Sequence, residues 1–150
     1  MRLSNIPFSS VGRLLGFGGL IPFVALAMLT FLVSLEHRSI VIFSLLAYGV
    51  TIVSFLGAIH WGLTMVENRP DVQRLVWGVV PSLLAWISLM LKVEWGLLLV
   101  ATVLLVCLAV DFKVYPRYGL GHWLRMRLIL SAVAVVPTAL PALYYLGLLS

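Results

Sequence analysis

Five long apolar runs, separated only by short charged segments, constrain this 150-residue chain more than any other feature. A helix that crosses the hydrocarbon core of a membrane needs about 20 mostly apolar residues, with a range of roughly 17–25. Because backbone polar groups inside lipid must be hydrogen-bonded within the protein, we expect each run to be helical. We therefore predict an all-α membrane protein whose single domain, residues 1–150, is a five-transmembrane-helix bundle with spans at about residues 11–35, 39–66, 75–91, 95–110 and 123–149.

Composition supports a bilayer as the solvent of this chain. Hydrophobic residues make up 63 % and charged residues 10 % of it, against roughly 45–50 % and 25 % in a typical soluble domain. A soluble chain of this size cannot hide so much apolar surface from water. The formal net charge of +5 comes from basic residues scattered at the ends of the apolar runs. That distribution favours membrane orientation over nucleic-acid binding, and we expect no nucleic-acid partner.

The third and fourth runs leave two arrangements open. Both lie near the short limit for a span, and Lys92 and Glu94 are the charged residues that part them. They form either a tight spanning hairpin or segments that re-enter without crossing, and we expect crossing because irregular backbone is heavily penalised in lipid. The first run continues through Leu35, beyond the length of a signal-peptide core, so we expect it to be retained.

Basic residues are distributed unevenly over the segments that flank the spans. With five crossings, eight of them lie on the side of the N-terminus, and Arg38 and Lys92 lie on the other side. Since cytoplasmic segments are enriched in Lys and Arg, we expect the N-terminus in the cytoplasm and the C-terminus in the periplasm. The eight residues are Arg2, Arg13, Arg69, Arg74, Lys113, Arg117, Arg125 and Arg127.

Small residues on the first span form a potential packing face. Gly12 and Gly16 are four residues apart, so they lie on the same side of a helix. Such a pair lets two membrane helices approach closely. We expect this face to serve internal packing, with a partner helix as the alternative.

His60 is the ionisable residue that lies well inside a predicted span. It precedes Glu67 by seven residues, which places it roughly 10 Å deeper in the membrane at 1.5 Å per residue. Because ionisable groups are costly in lipid, such a residue is the first place to look for function. Its helix face combines small and polar residues and is expected to face protein; that face consists of Gly49, Val53, Gly57, His60, Thr64 and Glu67.

Possible partners for this face lie at the same depth in other spans. Asp111 ends the fourth span, and Arg125 and Arg127 begin the fifth. The two arginines are about 200° apart around a helix, so at most one of them points into the bundle and the other extends to the headgroups. We therefore predict a cytoplasm-facing cluster of His60, Glu67, Asp111 and one arginine.

Two interpretations of this cluster remain open. It is either an interhelical polar lock that fixes packing, which we favour, or a proton-responsive, anion-binding or lipid-headgroup pocket. A haem site is less well supported, because His37 and His122 lie at loop edges and do not face His60 inside the membrane. The sequence contains no metal-ligand motif, nucleophile elbow or phosphate loop. We expect no enzymatic activity, no cofactor and no metal.

A motif in the second run resembles a known family. It consists of Tyr48-Gly49 followed by Ser54-Phe55-Leu56-Gly57-Ala58-Ile59-His60-Trp61-Gly62. Further matching segments are Leu15-Gly16-Phe17-Gly18-Gly19-Leu20-Ile21-Pro22-Phe23, Pro81-Ser82-Leu83-Leu84-Ala85-Trp86, and Asp111 followed by Trp123-Leu124-Arg125-Met126-Arg127-Leu128. Together these segments resemble the transmembrane protein 69-like family of small bacterial and mitochondrial membrane proteins. The resemblance implies an integral membrane protein, with no known activity and no catalytic residues to transfer.

The resemblance also draws attention to Tyr48, His60, Trp61, Asp111 and Arg125, most of which the polar cluster already includes. The complete predicted polar pocket is Tyr48, His60, Trp61, Thr64, Glu67, Asp111, Arg125 and Arg127.

We predict a multi-pass protein of a bacterial inner membrane with a non-enzymatic accessory, assembly or structural role. Its expected partners are membrane lipids, other membrane proteins or a second copy of the chain. The alternative is a small proton-coupled or anion carrier or channel that works through His60. A carrier needs a water-filled cavity that reaches His60 and changes sides, whereas an accessory protein needs only a packed core and an apolar outer face.

Overall fold

The protein is a bundle of helices in the computed structural model, which describes residues 10–67 and 71–149. Within these ranges the regular elements are all helical, and no strand is present. The six α-helices are α1 Ser10–Gly18, α2 Ile21–Leu32, α3 Leu35–Val66, α4 Val72–Ser88, α5 Val93–Val114 and α6 Leu124–Tyr145. Two short 3₁₀ turns, Tyr115–Tyr118 and Gly121–Trp123, join α5 to α6.

Within the described ranges, four segments are long and apolar enough to cross a membrane. They are Ser10–Leu32, Leu35–Val66, Val93–Tyr118 and Gly121–Tyr145. Helix α4 is also apolar but has 17 residues, at the lower limit for a span. The chain is therefore a helical, multi-pass membrane protein, with α4 as its shortest apolar helix.

The first predicted span is not one continuous helix. α1 ends at Gly18 and α2 begins at Ile21, and the intervening residues form a turn. Pro22, near the start of α2, has no backbone N–H, so one bond of the helical ladder is missing at this point. The hydroxyl of Tyr48 donates a hydrogen bond of 2.7 Å to the carbonyl of Gly19 and so ties the break to α3.

Other helix ends differ from the predicted spans where the local backbone determines them. The last predicted span reached residue 149, but α6 ends at Tyr145. Gly147 follows with a φ of 72°, the left-handed conformation that terminates helices. At α4 the side chain of Asp71 accepts hydrogen bonds from two backbone N–H groups of the first turn, so the helix begins at Val72 rather than near residue 75.

Helix α3 lies at the centre of the bundle, where it packs against α2, α4 and α5, while α6 packs against α5 and α2. The large, fully buried side chains at these contacts are Phe23, Leu45, Leu46, Val53, Leu97, Val100 and Leu104. Large apolar side chains such as Phe55, Trp86 and Leu140 are exposed on the outside. A core of this kind with an apolar exterior fits a protein surrounded by acyl chains.

One end of the bundle is joined by aromatic and polar contacts. The hydroxyl of Tyr145, the last residue of α6, donates a hydrogen bond of 3.0 Å to the carbonyl of Thr30 on α2. The guanidinium of Arg38, near the start of α3, lies 5.8 Å from the centroid of the Tyr145 ring. This end of the bundle contains the start of α3 and the last residue of α6. The C-terminal part of α3, with His60, meets the last turn of α5 and the first turn of α6 towards the other end of the bundle.

Helices α3 and α4 approach so closely that their backbones touch. A Cβ atom placed on Gly57 would collide with the backbone carbonyl of Gly78, and one placed on Gly78 would collide with the indole of Trp61. Only glycine allows this approach, which is the usual use of small residues between membrane helices. The position of α4 against α3 is thereby fixed near the depth of His60.

Candidate functional site

Three charged or polar side chains from three helices meet inside the bundle. His60 of α3, Asp111 of α5 and Arg127 of α6 are 1 %, 2 % and 8 % exposed, respectively. Nε2 of His60 lies 3.1 Å from Oδ1 of Asp111, and Nε of Arg127 donates to Oδ2 of Asp111 at 2.8 Å. We refer to these three residues as the triad. Each oxygen of the Asp111 carboxylate is thus occupied by a partner from a different helix.

The local fold brings the triad together. Asp111 lies in the last turn of α5, and Arg127 lies in the first turn of α6. The chain reverses between them at Gly119, whose φ of 72° is a left-handed conformation that favours glycine. One turn after His60, the hydroxyl of Thr64 donates a hydrogen bond of 3.0 Å to the His60 carbonyl.

Electrostatics account for the closeness of these contacts. A charge removed from water is tolerated only when it is paired and hydrogen-bonded. Arg127 and Asp111 neutralise each other, and Nη1 of Arg127 also donates to Oγ of Ser131 at 3.1 Å. Because a carboxylate can only accept, Nε2 of His60 is the donor towards Asp111. Chemically, the arrangement joins three helices through one shared carboxylate.

Two triad atoms retain hydrogen-bonding capacity. Nδ1 of His60 and Nη2 of Arg127 are buried and have no hydrogen-bond partner among the described residues. Nε1 of Trp77, on α4, is also buried without a partner. The rings of His60 and Trp77 meet edge to face at 90°, with centroids 6.4 Å apart. Buried polar atoms without a hydrogen bond therefore lie on the His60 side of the triad, next to Trp77, and on its Arg127 side.

Of the predicted pocket, the structure brings His60, Asp111 and Arg127 together, with Thr64 next to His60. Of the two arginines, Arg127 points inward and Arg125 is exposed. This agrees with the expectation that only one of them can face the bundle.

Glu67 is not part of this cluster. It follows the last residue of α3 with an extended backbone, at a ψ of 137°, and so leaves the helical face of His60. Its carboxylate accepts a hydrogen bond from Arg74 at 2.8 Å, and Arg74 also pairs with Asp71 at 3.1 Å. Glu67 therefore belongs to an exposed ionic group between α3 and α4.

Tyr48 and Trp61 also lie away from the triad and have other contacts. Tyr48 bonds the break between α1 and α2, as described above. The indole Nε1 of Trp61 donates a hydrogen bond of 2.9 Å to the carbonyl of Leu75 on α4. Both side chains therefore join α3 to neighbouring helices.

Sequence reasoning missed three residues around the triad: Ser131, Tyr115 and Trp77. Ser131 binds Arg127, and the buried Tyr115 also interacts with Arg127. Ser131 and Tyr115 could have been found from helical spacing, because Ser131 is four residues after Arg127 and Tyr115 is four residues after Asp111. The position of Trp77 depends on the packing of α4 against α3, for which the sequence carries no comparable signal.

Within residues 10–67 and 71–149, no group of three or more His, Cys, Asp or Glu side chains is arranged to hold a metal ion. The free thiol of Cys107 is buried one turn before Asp111. The triad is thus an acid–base arrangement of one carboxylate, one imidazole and one guanidinium.

Comparison with known proteins identifies relatives of this chain. Transmembrane protein 69 of Xenopus tropicalis is 36 % identical over 127 residues, which cover 81 % of this chain and 49 % of the relative. Transmembrane protein 69 of Mus musculus is 25 % identical over 122 residues, which cover 79 % of this chain and 49 % of the relative. The chain spans about half the length of these curated relatives. No solved structure matches it.

A family model described as "Protein of unknown function (DUF3429)" matches residues 9–143. That range includes the whole triad and all six helices except the last two residues of α6. The resemblance to the transmembrane protein 69-like family inferred from the motif around His60 is therefore confirmed. The chain belongs to this family of membrane proteins of unknown function.

Proposed function

We propose that this chain is a non-enzymatic accessory, assembly or structural component of a membrane, and that the triad is the polar lock of its fold. The observation that carries the proposal is the closed pairing of Asp111: both of its oxygens are bonded, to α3 and to α6, at 2 % exposure. A buried carboxylate that is fully occupied suits a packing role better than proton transfer or nucleophilic attack, which need access to the reacting group.

We propose five membrane crossings, with α4 as the third span. The helix has 17 residues, and about 17 is sufficient for a crossing. Five crossings put the triad on the side that holds most basic residues. This supports a cytoplasmic N-terminus and a periplasmic C-terminus in a bacterial inner membrane. A reporter fused after Ser150 is expected to be active in the periplasm, and activity only in the cytoplasm would contradict the orientation.

The partners that suit this role are other membrane proteins, lipids or a second copy of the chain. The described loops are short and the outer faces are apolar, so most of the contact surface lies within the bilayer. The direct experiment is purification of the tagged chain in a gentle detergent, followed by mass spectrometry of co-purifying protein and lipid. We expect a membrane component in a fixed ratio to the chain. A chain that purifies alone but transports a solute would overturn the proposal.

A second candidate, a small proton-coupled or anion carrier, is favoured by one observation: Nδ1 of His60 and Nη2 of Arg127 are buried without partners. The imidazole nitrogen can accept a proton, and the guanidinium N–H can donate a hydrogen bond to an anion. The test is proton and chloride flux into liposomes that contain the purified chain, measured with pH- and chloride-sensitive dyes. We expect no flux above that of empty liposomes. Flux that disappears in His60→Phe but persists in the exposed variant Arg125→Ala would support the carrier instead.

A further inference from the structure

An apolar cleft lies beside the triad, between α1, α3 and α6. Its volume is about 510 Å³, within the range of roughly 300–1,000 Å³ that is typical of small-molecule sites. Gly12 and Gly16 line it on α1, Phe55 and Ile59 on α3, and Arg127 on α6. Except for Arg127, these residues offer a ligand only apolar surface.

The cleft continues into a second cavity that makes it elongated. This cavity has a volume of about 160 Å³ and shares Gly16, Phe55, Arg127 and other residues with the first one. It extends along α6 as far as Ala134, seven residues from Arg127, or about 10 Å of helix. The combined space is therefore a narrow apolar groove with one cationic residue in its wall.

That cation has an unused donor. Asp111 accepts from Nε of Arg127, Ser131 accepts from Nη1, and Tyr115, which also lines the cleft, interacts with the same guanidinium. Nη2 has no hydrogen bond of acceptable geometry among the described residues, although Arg127 is 92 % buried. A buried N–H group of a guanidinium is normally bonded, and oxyanions are its preferred acceptors. An acceptor oxygen from outside the chain would complete this arrangement.

Charge at this end of the groove favours an anion. Arg127 and Asp111 neutralise each other, and the surplus positive charge comes from Arg13, Arg117 and Arg125 on the elements that border the opening. Trp123, an aromatic residue of the type enriched at membrane interfaces, also lines this end. Arg127 lies in the first turn of α6, so its charge is close to one end of that helix.

We propose that the groove binds one anionic phospholipid of the surrounding bilayer. An acyl chain occupies the apolar groove, and a phosphate oxygen accepts a hydrogen bond from Nη2 of Arg127. This inference rests on the membrane role proposed above but assigns a ligand and a site. It requires neither a protein partner nor a transported solute, so its failure and the failure of the proposed function are distinguishable.

The test is lipid binding to the delipidated full chain in detergent, counted by native mass spectrometry. The probes are phosphatidylglycerol, phosphatidylcholine with the same acyl chains, and oleate. We expect phosphatidylglycerol to bind at least about fivefold more tightly than phosphatidylcholine, the ratio that corresponds to the attraction of about one basic side chain. Equal binding of the two phospholipids would overturn the proposal, and so would oleate binding as tight as that of phosphatidylglycerol.

Two variants locate the site. Leu130→Trp fills the groove, because Leu130 lines both cavities. A lipid excluded from the groove loses its contact with Arg127, so phosphatidylglycerol binding is expected to weaken at least about fivefold, the contribution of about one basic side chain. The matched control Leu140→Trp lies on the same helix but is exposed and outside the groove, and is expected to bind as the unmodified chain does. If Leu130→Trp does not purify in folded form, Ile59→Trp fills the groove from α3. Unchanged binding in the folded groove variant would overturn the proposal, because the lipid would then bind outside the groove.

Discussion

Helix α3 is joined to its neighbours by two junctions of opposite chemistry, although they lie only three residues apart along the chain. Towards α4, Gly57 lets the backbones touch near Gly78. Towards α5 and α6, His60 takes part in the ionic triad with Asp111 and Arg127. The first junction depends on the absence of side chains, and the second depends on the mutual pairing of side chains.

The difference shows how a membrane bundle obtains specificity without a hydrophobic driving force between its helices. Lipid tails are as apolar as the helix surfaces, so close packing and polar contacts must define which faces meet. The glycine junction should be sensitive to added volume. The ionic junction should be sensitive to the loss of any one partner, because the remaining charge stays buried.

The largest expected effect is that of Asp111→Ala on the ionic junction. The substitution leaves the guanidinium of Arg127 buried and without its counter-charge, a change that typically costs about 3–5 kcal/mol. The free energy of unfolding in mixed detergent and denaturant measures it. The control is Glu67→Ala, which removes an ion pair of the same chemistry whose carboxylate is 40 % exposed; exposed pairs contribute roughly 0–1 kcal/mol. Similar losses in the two variants would contradict the burial argument.

A somewhat smaller loss is expected for Arg127→Ala. The carboxylate of Asp111 then keeps His60 as a partner, so its charge is not entirely unpaired. Arg125→Ala is the matched control, since Arg125 has the same charge two residues earlier but is exposed. Thermal unfolding in detergent should separate the two variants clearly. Equal shifts would mean that the inward orientation of Arg127 does not matter for the fold.

The glycine junction should respond to a single methyl group. Gly57→Ala forces α3 and α4 apart, because the new Cβ meets the Gly78 carbonyl, and overpacking of this kind costs about 1–3 kcal/mol. Gly62→Ala, on the same helix, meets no atom within 4 Å. It is expected to raise stability by about 0.5–1 kcal/mol through helix propensity. The same unfolding measurement should therefore give opposite signs, and a stabilised Gly57→Ala would refute the close contact.

These two junctions were not equally visible in the sequence. His60 and Asp111 were predictable because helical periodicity gives the face of one, and the end of an apolar run gives the depth of the other. The choice between Arg125 and Arg127 was left open. Yet Arg127, Ser131, Ala134 and Thr138 alternate at spacings of four, three and four residues and are all buried, a stripe that identifies Arg127 as the inward residue.

Three other features of the structure could not be derived from the sequence pattern. Extrapolation of the His60 face to Glu67 was wrong, because the helix ends at Val66 and its face ends with it. The break between α1 and α2 lies inside one predicted span, and the hydrogen bond from Tyr48 to Gly19 that accompanies it was also not predicted. The contact of Gly57 with Gly78 depends on tertiary packing, for which a glycine in each helix is necessary but not diagnostic.

The smallest expected effect comes from the removal of all three triad charges together. In the variant with His60→Leu, Asp111→Leu and Arg127→Leu no charge is left unpaired, and the new side chains can pack. Replacement of a whole buried ionic cluster by apolar residues is often neutral or stabilising by about 1–4 kcal/mol. We therefore expect the triple variant to unfold near the unmodified chain, and so to recover the loss seen in Asp111→Ala. A triple variant as unstable as Asp111→Ala would mean that the shape of the polar groups, and not the pairing of their charges, holds the three helices together.

A stable triple variant that no longer binds phosphatidylglycerol would separate the two tasks of Arg127, since packing would then be retained while the unused donor was lost.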